Sequence, residues 1–99
     1  MIYEFAVIMI KDGSKERFEA AVEQAVPLFK RASGCKSLRL ERSIETPLRY
    51  LMIIGWATLE DHTVGFRNSA DYQVWRNLVG EHFDGAPVVE HTEVAISGF

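Results

Sequence analysis

The chain has 99 residues, a formal net charge of −3, 47% hydrophobic residues and one cysteine. That length suits one small domain over residues 1–99, burying roughly 65% of the surface that its open chain exposes. No basic stripe invites nucleic acid, and no apolar run reaches the roughly 20 residues of a membrane span. The lone Cys35 excludes an internal disulfide and, with no basic or cleavable leader after Met1, fits a cytoplasmic protein.

Residues 2–10 (IYEFAVIMI) are β-rich and nearly all apolar, and Lys11-Asp12-Gly13 ends them with turn chemistry. Ser14 is placed to cap a helix on which Phe18, Ala21, Val22, Ala25, Leu28 and Phe29 recur at helical spacing. Pro27 falls late in that helix, and Ser33-Gly34 closes it. Residues 36–44 and 48–57 read as strands around a Glu45-Thr46-Pro47 turn. Leu59 to Phe83 reads as helical, with a break near Asn68 where Ser69 can cap a second segment, and 88–96 is the last strand. The order β-α-β-β-α-β is that of an α+β, ferredoxin-like sandwich.

In such a sandwich the helices cover one sheet face. Here both faces of the central strands are apolar: Tyr3, Phe5, Val7 and Met9 oppose Ile2, Ala6, Ile8 and Ile10, and Tyr50, Met52, Ile54 and Trp56 oppose Leu51, Ile53 and Gly55. A second apolar face needs a second cover, and the same face of another copy supplies one, so a homodimer is expected.

The stretch Gly55–His91 holds both tryptophans and all three histidines, with Phe66, Arg67, Tyr72 and Arg76 among them. Aromatic rings beside histidine and arginine suit a flat, oxygenated organic ligand. His62 can accept a phenolic proton or make a structural hydrogen bond at a helix start; Phe66 shares its face. Trp56 is either core or a stacking wall. Arg76 can stabilise an oxyanion or pair with Glu81 or Asp71, and Tyr72, Trp75 and Val79 form a stripe that suits core, dimer contact or site. His82 and His91 lack metal-ligand spacing, so no metal is expected, and the scattered glycines make no phosphate loop, so no nucleotide cofactor is expected.

The element order, Trp56 at the end of the third strand, and GWATLEDHTVGFRNSADYQVWRNLVGEHF followed by PVVEH resemble the antibiotic biosynthesis monooxygenase family. The resemblance implies a dimeric α+β barrel and a small oxygenase that is cofactor-free or haem-linked. Its quinone-forming branch uses an Asn and a Trp on the third strand, then a Tyr and an Arg on the second helix. Trp56 and Arg76 match two of these, whereas His62 and Met52 stand at the other two positions. The haem-degrading branch needs an Asn on the first strand and a haem-ligating His on the second helix, and this chain has neither. The resemblance thus implies cofactor-independent attack of O2 on an aromatic or quinol substrate. His62, Arg76 and Trp56 would be catalytic, and Phe66, Met52, Tyr72 and Trp75 would line the substrate site. A non-catalytic dimeric binding or stress-response module, or a proton-transfer isomerase, would use the same pocket.

Overall fold

Strand β1 (Ile2–Met9) lies in the middle of the molecule because its apolar run can be buried on one face and shared on the other. A computed structural model describes residues 1–99. After β1 come α1 (Lys15–Lys30), β2 (Cys35–Arg42), β3 (Arg49–Trp56), a π-helical turn (Asp61–Phe66), α2 (Ala70–Val79), a 3-10 turn (Gly80–His82) and β4 (Val88–Thr92). The sheet is fully antiparallel in the order β2-β3-β1-β4. With two main helices on one face, this is the ferredoxin-like α+β fold that the sequence predicts.

The helical periodicity of α1 translates directly into packing. Phe18, Ala21, Val22, Ala25, Leu28 and Phe29 are all buried against Ala6, Ile8, Tyr50, Met52 and Ile54 of the sheet. The β1–β3 register places Ala6 opposite Met52 and Ile8 opposite Tyr50 on this covered face, and Phe5 opposite Ile53 on the other.

Three local expectations are corrected. Ser14 precedes α1, but its side chain makes no capping bond; its carbonyl receives the Phe18 N–H instead. The second helical stretch is three pieces, because Ser69 does cap a new helix by accepting the Tyr72 N–H, and the turn before it winds as a π-helix. The last strand stops at Thr92 rather than residue 96. Thr92 lies opposite Tyr3, so one further residue exhausts the strand it pairs with.

The second sheet face carries Tyr3, Phe5 and Val7 beside Leu51 and Ile53, with Met9 37% and Val88 68% exposed. No helix of this chain crosses it. No helix is long and apolar enough to cross a membrane.

Candidate functional site

The π-helical turn decides which way His62 faces. Thr58 and Asp61 form a reciprocal cap: the Asp61 N–H donates to Thr58 Oγ1 at 3.1 Å, and the Thr58 N–H donates to Asp61 Oδ2 at 3.2 Å. The Arg67 N–H then reaches back five residues to the His62 carbonyl at 3.1 Å, widening the turn. This winding carries both His62 and Phe66 inward, and both are buried. Sequence periodicity of 3.6 could not fix that rotation.

Under His62 lies Glu4, the one charged residue of β1, only 8% exposed. It occupies the covered face between Ile2 and Ala6. A lone carboxylate at an inward position of an apolar strand was the available signal, and the sequence reading passed over it. Trp56 Nε1–H donates to Glu4 Oε1 at 3.1 Å, and His62 Nε2 stands 3.3 Å from the same oxygen. On its other side, His62 Nδ1 meets His91 Nε2 at 2.8 Å. The Trp56 indole stacks on the imidazole, with centroids 5.3 Å apart and planes 18° from parallel.

His62 Nδ1 and His91 Nε2 share one hydrogen bond whose donor is set by the tautomer, while His62 Nε2 stands 3.3 Å from the Glu4 carboxylate without a hydrogen bond to it. Of the two ring nitrogens of His62, Nδ1 is taken by His91 and Nε2 faces the Glu4 carboxylate. They also point opposite ways, so Glu4, His62 and His91 do not converge on a point where a metal ion could sit. Burial pushes the Glu4 carboxyl above the ordinary carboxylate range, against the Trp56 hydrogen bond and the Arg67 charge. Burial, then Arg67 and His91, hold His62 down to about 4, and burial with Arg67 also lowers His91. At neutral pH both imidazoles are uncharged.

This group opens onto a cavity of about 480 Å³ between the sheet and α2, within the range of small-molecule sites. Met52, Phe66, Tyr72 and Trp75 line it, as do Glu4 and His62. Arg67 and Arg76 both border it. Arg76 is an exposed side chain with its guanidinium carbon 6.0 Å from the Tyr72 ring centroid. It makes no ion pair with Asp71, which is held by Arg31 through two contacts of 2.8 Å. Trp56 is fully buried and does not line the cavity; it stands behind Glu4 and His62 as their support. His82 is buried apart from this group, edge-on to Phe18.

A family model for antibiotic biosynthesis monooxygenases matches residues 1–78. The chain belongs to that family. The match includes Glu4, Trp56, His62, Arg67 and Arg76 and ends before His91. The uncharacterized Bacillus subtilis protein YczJ is 40% identical over 91 residues, covering 92% of this chain and 96% of YczJ. A crystal structure from Bordetella bronchiseptica, described no further than this family, is 48% identical with a TM-score of 0.94, covering 96% of this chain and 97% of that one. SnoaB of Streptomyces nogalater, a cofactor-independent oxygenase, superposes with a TM-score of 0.82 over 98% of this chain and 95% of its own; at 11% identity it shares the fold.

Proposed function

We propose that this member of the antibiotic biosynthesis monooxygenase family is a cofactor-independent monooxygenase of an aromatic or quinol-type small molecule. The observation that carries the reading is a buried proton-accepting group, Glu4 with His62, set in the wall of an aromatic-lined cavity. Phe66, Tyr72 and Trp75 offer ring surfaces to a flat substrate. The family match and the oxygenase SnoaB on the same fold support it.

Oxygen in its ground state reacts with a carbanion by one-electron transfer and recombination, so the protein's task is to make and hold the anion. An enol or phenol O–H of the substrate loses its proton, and the charge spreads to a ring carbon. That carbon reduces O2, and a peroxide anion forms. For a ring CH2 the balance is CH2 + O2 → C=O + H2O, with the substrate supplying all four electrons. Arg67 and Arg76 place positive charge beside the cavity, where enolate and peroxide anions develop. His62 contributes as a member of the buried polar group, and Trp56 as its hydrogen-bonding support.

A homodimer belongs to this reading. Tyr3, Phe5, Val7 and Leu51 are half-buried at the centre of the second sheet face, flanked by Arg39, Glu41 and Glu90, and joining this face to its equivalent removes both from water.

The test is oxygen uptake by purified protein with a panel of hydroxyanthrones and hydroquinones, with His62→Ala and Trp56→Phe alongside. Uptake above the spontaneous rate that falls in both variants is expected. Ligand binding without turnover would replace the oxygenase with a binding module, and turnover without oxygen consumption would replace it with an isomerase.

A further inference from the structure

Glu4 is held by one oxygen only. Oε1 takes the Trp56 N–H and faces His62 Nε2. Oε2 has no partner in the protein, yet no buried side-chain oxygen or nitrogen lacks one, so Oε2 is an open atom. The space that Glu4 borders is the 480 Å³ cavity. The imidazole beside Glu4 gives Nδ1 to His91 and turns Nε2 toward Oε1.

We propose that Glu4 is the catalytic base, taking the substrate proton on Oε2, with His62, His91 and Trp56 as positioning residues behind it. This rests on the proposed oxygenation only for the choice of substrate. Trp56 donates to Oε1, His62 Nε2 packs 3.3 Å from that same oxygen, and His91 holds His62 by its Nδ1. They hold the carboxylate in one rotamer and keep Oε1 from competing with Oε2. Arg67, bordering the same cavity, favours the ionised carboxylate and disfavours charge on either histidine. Burial raises the basicity of the carboxylate, which suits it to an acidic enol or phenol.

The proton count closes on this one group. The substrate O–H breaks, the Oε2–H bond forms, and the electron pair stays on the substrate. After oxygen adds, Glu4 returns that proton to the peroxide anion. It then removes the remaining C–H as the O–O bond breaks, and the hydroxide released takes this proton and leaves as water. Glu4 ends ionised, as it began.

The experiment reads proton transfer apart from oxygen chemistry. Under anaerobic conditions, bound 1,8-dihydroxyanthrone is titrated by absorbance, since its anion absorbs at longer wavelength, with wild type, Glu4→Gln and Trp56→Phe. Wild type is expected to ionise the bound ligand at neutral pH. Glu4→Gln is expected to bind it within about threefold and leave it neutral, with any aerobic turnover lowered on the order of 100-fold or more. Trp56→Phe removes the hydrogen bond that holds the Glu4 carboxyl down, making it the stronger base, and is expected to raise the proportion of bound ligand that is ionised between about pH 5 and 7; a base elsewhere would not respond, and this arm stands even if Glu4→Gln fails to fold. Ionisation in Glu4→Gln equal to wild type, or none in wild type between pH 5 and 9, overturns the proposal. Ionisation that depends on Glu4 without oxygen uptake keeps the base and removes only the oxygenase reading.

Discussion

Glu4 and His91 stand directly opposite each other across the β1–β4 ladder, and His62 bridges them from above with one ring nitrogen on each. A strand pair thus fixes the two ends of a polar chain, and a helical turn from a different part of the sequence fixes its middle. The expense of burying a carboxylate here is offset by one hydrogen bond, from Trp56, and by the nearby Arg67 charge, since both imidazoles are neutral at pH 7.

That expense predicts a gain in stability when the charge is removed. A carboxyl whose folded pKa is raised weakens the fold as pH rises through it, because the folded state must then hold the buried anion. Glu4→Gln keeps the shape and an acceptor for Trp56. Its melting temperature is expected to exceed that of wild type at pH 8 by a few degrees, with the difference closing toward pH 4. Parallel melting curves of the two proteins from pH 4 to 8 check this. A difference that grows toward acid would contradict it.

His62 acts in the opposite sense. Its folded pKa of about 4 lies below the unfolded 6.5, so between these values the unfolded chain takes a proton that the folded one refuses. Stability is therefore present in full above 6.5 and is lost as pH falls toward 4. The loss is on the order of 2 to 3 kcal/mol, partly offset by protonation of Glu4. Urea unfolding at pH 7 and pH 4.5 should show the fall in wild type and a smaller one in His62→Gln.

Gly34 ties this site to the turn after α1. It has φ of +79°, its carbonyl receives the Ala57 N–H at 2.7 Å, and a Cβ on it would collide with the Asp61 carboxylate. Gly34→Ala therefore strains the left-handed backbone and breaks the Thr58–Asp61 cap that orients His62. A cost of about 2 kcal/mol or more is expected, together with loss of ligand binding in the cavity. Chemical denaturation and a ligand titration measure the two effects separately.

The uncovered sheet face gives a prediction about assembly. Phe5 sits between Ile53 and Glu90 on that face, opposite to the face that carries Glu4. Phe5→Arg is expected to shift sedimentation from dimer to monomer, or to leave the protein insoluble. An unchanged dimer would mean that another surface joins the copies.

The fold was legible because it rests on period-2 and helical apolar patterns, which survive any local detail. Ser69 likewise announced its cap. The candidate site was legible only in outline: Met52, Phe66, Tyr72 and Trp75 do line one cavity with His62 and Arg76. Three features escaped for physical reasons. Glu4 was masked by the apolar residues around it, and its role depends on a cross-strand partner 87 positions away, a separation visible only in the register. The inward turn of His62 depends on a π-helical winding that a regular helix would not give. Trp56 lies behind the site rather than in its wall because the next turn folds back over it.

The pairing of the first strand with the last has a consequence for biosynthesis. A growing chain can assemble α1, β2 and β3 on β1, but the Glu4 side of the sheet stays a bare edge until β4 has emerged and docked. His91 arrives with that final strand. Competence of the site therefore reports that β4 has docked on β1, and a nascent or clipped chain lacking β4 would be both incomplete at Glu4 and open to pairing with a stranger along β1.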